Sequence, residues 1–255
     1  MGFQKANFNA VISFNSAYSS RLLDIYKEQS IADIRAEGAR SRSCTFSPSG
    51  MRCLRKQWFR LRGVETDIIE NPDLGLDFRA KVGTDRHIAI QTRLKKALGT
   101  NWISVAEYLK EHPIQFKYDI TENGLESLVR IDSPPIKFAV DGIIRVDSRI
   151  FLLEIKTSDY SAFENLTQQK PVHEDQVTMY SAILGIRDVL FLYEDRQNGG
   201  MKSYQYTVKE SAVSDAISKM QYVMDMAEKR VAPDRVPPSD YMCSNCEYAK
   251  KCSEW

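Results

Sequence analysis

Between Phe138 and Ser158 the chain reads Phe-Ala-Val-Asp-Gly-Ile-Ile-Arg-Val-Asp-Ser-Arg-Ile-Phe-Leu-Leu-Glu-Ile-Lys-Thr-Ser, and this stretch constrains the fold more tightly than any other. Two runs rich in β-branched and aromatic residues flank Asp147-Ser148-Arg149, the pattern of a β-hairpin. Side chains alternate across a strand. Val140, Ile144 and Val146 are therefore expected on one face with Phe151, Leu153 and Ile155, and Asp141, Glu154 and Lys156 on the other. A turn at Asp147-Ser148 sets Asp141 opposite Glu154, whereas a turn at Ser148-Arg149 sets it opposite Lys156. Either register gathers the three polar groups on one face, because opposed Cβ atoms lie about 4.5 to 5.5 Å apart. Two facing carboxylates repel, and a divalent cation with oxygen ligands offsets that repulsion, with Lys156 close to its bound water or to a substrate phosphate. The plainer alternative is a surface hairpin whose acids and lysine form the solvated face.

The flanking text predicts α/β organisation. Apolar residues at helical spacing (Leu22, Leu23, Ile25, Tyr26, Ile31, Ile34) predict one or two amphipathic helices between about Phe14 and Arg40, ended before the break at Ser47-Pro48-Ser49-Gly50. Met51, Leu54, Trp58 and Leu61 share one face of a second helix whose other side is basic, with Gly63 as its C-cap. A longer helix is expected from Leu76 to Leu98. Strands follow at about 114–120, 128–131, 138–146 and 150–157, then a helix over 174–184, strands at 189–193 and 203–208, and a helix over 211–230. A Pro-rich connector (Pro233, Pro237, Pro238) leads to a cysteine tail.

The five cysteines are Cys44, Cys53, Cys243, Cys246 and Cys252. An odd count, with no apolar signal segment at the N-terminus, speaks for metal binding over a disulfide framework. Cys-x-x-Cys with a third cysteine nearby is a metal-ligand spacing that suits zinc and iron alike. Ala6 stands where a myristoylation signal has Ser or Thr, and no stretch has the run of apolar residues that a membrane span needs. The expectation is a soluble cytoplasmic protein, with a virus-encoded origin open. The net charge of +1 neither requires nor excludes a nucleic-acid partner.

Glu154-x-Lys156 preceded by Asp141 on a paired strand resembles the PD-(D/E)xK nuclease superfamily, and four further elements resemble its RecB-like branch. Gly83-x-x-x-His87 is similar to that branch's helical histidine, and Gln176-x-x-x-Tyr180 to its signature helix. Cys243-x-x-Cys246 with Cys252 is similar to the tail of its iron-sulfur members, and Cys53 to their distant first cysteine. Those members include the CRISPR-associated RecB-like exonucleases and the nuclease domain of AddB. The order of the elements along the chain also matches. Cys44 has no counterpart and is left as a spare thiol.

The resemblance implies a restriction-endonuclease-like core with a mixed central sheet. It divides the chain into an N-terminal helical region with Cys53 (1–62), a nuclease core (63–232) and a cysteine tail (233–255) that closes onto the helical part. His87, Asp141, Glu154 and the backbone carbonyl of Ile155 would hold Mg²⁺ or Mn²⁺, with Lys156, Gln176 and Tyr180 as catalytic partners. Cys53, Cys243, Cys246 and Cys252 would hold an iron-sulfur cluster of the 4Fe-4S kind, zinc being the alternative, that supports the fold and does no redox chemistry. Arg52, Arg55, Lys56 and Arg60 would face phosphates. The implied activity is a DNA nuclease, acting as an exonuclease on single-stranded ends, in repair, recombination or replication, with helicase, recombination or CRISPR-type partner proteins. A DNA-binding or scaffolding subunit with the same fold and no cleavage is the rival from another class.

Overall fold

The computed structural model describes residues 17–39, 44–67, 72–123, 125–237, 241–244 and 246–254. The expected helix start at Phe14, the N-terminal signal residues and Pro238 lie outside them. In chain order the elements are α1 (Ala17–Ala39), α2 (Leu54–Leu61), α3 (Leu74–Leu98), β1 (Trp102–Ile103), α4 (Val105–Glu111), β2 (Tyr118–Asn123), β3 (Glu126–Asp132), β4 (Pro135–Val140), β5 (Gly142–Val146) and β6 (Arg149–Ser158). They continue with α5 (Tyr160–Glu164), α6 (Pro171–Leu184), β7 (Asp188–Asp195), β8 (Met201–Thr207), α7 (Glu210–Glu228), α8 (Tyr241–Ser244) and α9 (Ala249–Glu254).

Local chemistry sets many of these boundaries. Asp73 accepts the Leu76 N–H and opens α3, and Asp159 does the same for α5 through Ala162 N–H. Ser104 and Glu107 form a reciprocal capping box on α4. Pro171 occupies the first turn of α6, where its missing N–H costs nothing, and Gly185 (φ 74°) ends the helix in the left-handed region. Gly63, at φ 63°, follows α2 as its spacing predicted.

The hairpin turn is decided in the same way. Asp147 (φ 46°) and Ser148 (φ 67°) are both left-handed, as a two-residue turn matched to strand twist requires. The β5–β6 ladder runs from Gly142 opposite Leu153 to Val146 opposite Arg149, the first of the two expected registers. The run 138–146 is not one strand, however. Val140 closes β4 in a three-stranded sheet (β2-β3-β4), and Gly142 opens β5 in a mixed five-stranded sheet (β1-β5-β6-β7-β8), leaving Asp141 at the seam. Of the three apolar residues expected to back the hairpin from its first strand, only Ile144 does so. Val140 joins the opposite core and Val146 is exposed. Likewise the strand expected from Ile114 starts only at Tyr118.

β6 and β7 are parallel, connected through α5 and α6, and alternation sorts β7 between two layers. Leu190 and Leu192 face the layer of α3, packing with Ile90, Leu94, Trp102, Ile144, Phe151, Leu153 and Ile155. Val189, Phe191 and Tyr193 face the larger core with Val177, Tyr180, Ile183 and Leu184 of α6. α7 packs on both α6 and α2, whose Trp58 Nε1 donates to the Met226 carbonyl at 3.1 Å. The fold is therefore α/β, a mixed sheet covered by helices on both faces. Among the described residues no helix is long and apolar enough to cross a membrane.

Candidate active site

The seam between the sheets carries the expected acids. Asp141 Oδ2 accepts the Ile155 N–H at 2.6 Å, and the Asp141 carbonyl accepts from Gln91 Nε2 of α3 at 2.9 Å. Glu154, on the neighbouring strand, is 1% exposed and Asp141 is 9% exposed. Far from forming a solvated face, these acids lie in a layer with fully buried Ile143 and Leu152. Lys156 Nζ stands 2.5 Å from Glu154 Oε1 as an ion pair, although that oxygen has no hydrogen bond of ordinary geometry.

α6 supplies the facing groups. Residues 173, 176 and 180 repeat at helical spacing, so His173, Gln176 and Tyr180 share one face. Gln176 Oε1 accepts from Lys156 Nζ at 3.1 Å, and its amide donates to Tyr180 Oη at 2.6 Å. The Tyr180 ring is stacked on Phe138 with centroids 5.1 Å apart, which locks the phenol in place from the three-stranded sheet.

α3 brings His87 over the strand ends. A Cβ at Gly83 would stand 3.2 Å from Thr157 Oγ1, so the glycine permits the close helix–strand approach one turn before His87. Arg86 forms a forked ion pair with the fully buried Glu194 of β7, one of its bonds running from Nε to Oε2 at 2.9 Å. With Gln91 tied to the Asp141 backbone, α3 is fixed on either side of His87, whose Nδ1 lies 3.8 Å from Asp141 Oδ1. Arg86 and Gln91 carry no motif that sequence reading can recognise.

Electrostatics mark the same place. Burial, with the Asp141 charge added, pushes Glu154 up to about 8, and burial raises Asp141 despite His87, Lys156 and the Ile155 N–H. Burial lowers His87, keeping its imidazole neutral, and holds the Tyr180 phenol well above its ordinary value. Two residues missed at the sequence level belong here. Glu126, which opens β3 in the other sheet, is raised by burial and then by Asp141, and is a third acid within electrostatic reach of the site. Burial, Lys156 and Lys170 hold His173 down at about 3. Its place one turn before Gln176 was the available signal.

Next to Lys156 and His87 opens a groove of about 420 Å³ lined by Arg79, Gly83, Thr84, Thr157, Asp159 and Arg196 among others. Cations outnumber acids along it.

No family model matches the chain, and no curated protein matches it in sequence. Its backbone is similar to solved structures. One is SSO0001, with a TM-score of 0.48 and 13% identity over 89% of this chain and 93% of that one. Another is an alkaline exonuclease, LHK-Exo, from Laribacter hongkongensis, with a TM-score of 0.40 and 15% identity over 76% of this chain and 93% of that one. The same exonuclease in complex with dAMP gives 0.40 and 14% over the same shares. These are loose likenesses of backbone at low identity.

A second centre lies at the start of α6, beside Val172. Cys53, Cys243, Cys246 and Cys252 line one cavity of about 390 Å³ together with Val172, Phe59 and Tyr248. All are free thiols. Cys53 caps α2, its Sγ accepting the Lys56 N–H at 3.4 Å, and Cys246 Sγ accepts the Tyr248 N–H at 3.4 Å. Burial raises both thiols, and neighbouring cysteines add to the rise of each. Cys44 is exposed, its sulfur beside Gly63, and it is not among the residues that line this cavity. The tail is held by Asp67, whose carboxylate accepts the Lys250 N–H at 2.7 Å and whose N–H donates to the Glu247 carbonyl at 2.8 Å.

The basic residues of α2 and its lead-in are largely engaged inside the protein. Arg55 is buried, with Nε donating to the Pro233 carbonyl at 2.6 Å. Lys56 Nζ pairs with Glu247 at 2.6 Å, and Arg60 bonds the Thr45 carbonyl at 3.2 Å. Arg52 pairs with Asp175, one residue before Gln176, and keeps 41% of its side chain exposed. Among the described residues, no three His, Cys, Asp or Glu side chains are already grouped as a coordination shell at either centre.

Proposed function

We propose that the protein is a metal-dependent deoxyribonuclease of the RecB-like PD-(D/E)xK kind, an exonuclease acting on single-stranded ends in DNA repair, recombination or replication. The observation that carries the reading is the convergence of buried Asp141 and Glu154 with Lys156 at the rim of a cationic groove. Two buried carboxylates beside a single lysine still repel in so dry a place unless a proton or a further cation meets them. Two carboxylates, a neutral imidazole and a backbone carbonyl form a donor set that fits Mg²⁺ or Mn²⁺, so Asp141, Glu154, His87 and Ile155 O would hold the ion. When bound, it supplies acidified water and neutralises charge on the scissile phosphate.

The chain's own groups do the rest. Lys156, held by Gln176, offers its ammonium to the negative charge that develops on the phosphate. Tyr180 orients Gln176 and thereby the lysine. The groove past Arg79 and Arg196 takes the neighbouring phosphates of the strand, a duty that the inward commitments of Arg55, Lys56 and Arg60 leave to it and to Arg52. The expected products are a 5′-phosphate and a 3′-hydroxyl.

For Cys53, Cys243, Cys246 and Cys252 we propose a 4Fe-4S cluster, with zinc as the alternative occupant. Four thiols around one cavity fit such a group, and metal would displace the protons that burial keeps on Cys53 and Cys246. Its role is to clamp the tail and α2 against the start of α6.

Purified protein given linear and single-stranded DNA with Mn²⁺ is expected to release nucleotides, and Asp141→Ala and Lys156→Ala are each expected to abolish this. Binding without cleavage in either metal would establish the scaffolding alternative. Anaerobic purification is expected to give brown protein that Cys246→Ser renders colourless.

A further inference from the structure

His173 sits beside Lys156 and takes no part in the chemistry described above. Its Nδ1 lies 2.7 Å from Tyr193 Oη, and the same oxygen accepts the Lys170 backbone N–H at 3.1 Å. Tyr193 is 1% exposed, and no other acceptor for its phenolic proton is present among the described residues. Were Nδ1 to carry a hydrogen and donate it to Oη, the phenol would receive two donors and bury its own O–H without a partner. The economical arrangement is a relay in which Lys170 N–H donates to Tyr193 Oη and Tyr193 O–H donates to His173 Nδ1. Nδ1 is then the bare nitrogen, and Nε2 bears the hydrogen. Nε2 makes no hydrogen bond among the described residues, and the His173 side chain is only partly buried, which leaves Nε2 as the nitrogen available to a ligand.

Resting on the phosphodiester reading of this site, we propose that His173 is a substrate-contacting residue whose Nε2–H, oriented by Tyr193 and the Lys170 backbone, donates to a non-bridging oxygen of the phosphate lying against Lys156. Helical spacing places it on the face that already presents Gln176 and Tyr180 to β6, one turn nearer the N-terminus of α6. An uncharged donor at this point serves specificity. It adds a directional bond to the phosphate without a second full charge competing with Lys156 for Glu154.

Long-range proton–nitrogen correlation spectra of histidine-labelled, metal-free protein read the tautomer directly, independently of any cleavage. His173 is expected to show an acceptor-type Nδ1 and a protonated Nε2, and Tyr193→Phe to populate the other tautomer. Adding a fluorescein-labelled oligothymidylate without divalent metal is expected to shift the Nε2–H resonance. In Mn²⁺ kinetics His173→Ala is expected to raise KM about tenfold, the worth of one hydrogen bond to a charged group, with a smaller effect on kcat. His173→Gln, whose amide sits where Nε2–H does, is expected to recover most of that loss. A proton on Nδ1, or wild-type KM in an active and folded His173→Ala variant, overturns the inference. A wild type that binds the oligonucleotide with the expected resonance shift and cuts nothing overturns the nuclease reading but upholds the His173 contact. Failure to bind at all overturns both.

Discussion

Asp141 Oδ2 accepts the Ile155 N–H at 2.6 Å, so the first carboxylate is hydrogen-bonded to the strand that presents the second, Glu154. Asp141→Asn keeps an acceptor for that N–H and removes the charge that opposes Glu154. In EDTA the variant is expected to be more stable than the wild type by about 1–2 kcal/mol, a rise of a few degrees in Tm. Mn²⁺ is expected to raise the Tm of the wild type and not that of the variant. Scanning calorimetry in the two conditions checks both, and a variant melting lower in EDTA counts against an electrostatic cost at this pair.

Gly142 lies under the Trp102 indole, where an added Cβ would come within 2.9 Å of the ring. Gly142→Ala is expected to cost about 1–3 kcal/mol through overpacking, read by urea denaturation. Combining it with Trp102→Leu is expected to return part of the loss, since the three atoms nearest the added Cβ all belong to that ring.

Stability should also depend on His173 at acid pH. Its folded-state value of about 3 lies below the roughly 6.5 of an unfolded chain, so below pH 6.5 the unfolded chain takes up a proton that the folded chain refuses. The contribution is present in full above pH 6.5 and is lost as pH falls toward 3, by at most about 1.4 kcal/mol per pH unit. Urea melts of the wild type and His173→Gln at pH 7 and pH 5 are expected to diverge in that direction. Parallel curves would show that the imidazole titrates normally.

Arg79 of α3 and Arg196, just after β7, both line the groove, and Arg196 Nη1 donates to the Arg79 carbonyl at 3.3 Å. Replacing either side chain with Ala is expected to weaken single-strand binding and to reduce the slope of log affinity against log salt by about 1. Fluorescence anisotropy across a salt series measures it. An unchanged slope would place the strand elsewhere.

Cys246→Ser is expected to lose bound metal and to make the connector after Arg230 sensitive to protease, whereas Cys44→Ser is expected to do neither. Metal analysis with limited proteolysis distinguishes the two thiols.

Much of this architecture was legible in the sequence because it rests on periodicity. Alternation along 138–158 placed Glu154 and Lys156 on one face, and the left-handed pair Asp147-Ser148 chose the register that sets Asp141 beside Glu154. Gln176 and Tyr180 were singled out by the resemblance of Gln-x-x-x-Tyr to the RecB-like signature helix and not by periodicity. What alternation does not report is a strand that leaves one sheet and enters another. Val140 and Ile144 look like neighbours on one face, yet the chain changes sheets between them. Contacts that join distant segments were equally hidden. Glu126, Arg86 and Gln91 belong to the site through tertiary packing, and Arg55 resembles a surface cation until the Pro233 carbonyl is brought to it. The short helices α4 and α5 lack the length that gives a periodic signal.

Asp141 belongs to neither sheet, yet the two platforms share one core, in which Val129, Ile136 and Phe138 pack with Ile143, Leu152 and Val189. A change in how the β2-β3-β4 platform seats on that core would be felt at Asp141 and, through its bond to the Ile155 N–H, beside Glu154. Substitutions on the outer side of that platform, remote from any reacting atom, therefore offer a dial for the ion-binding distance. Directed evolution of metal preference in this protein has its natural starting place there.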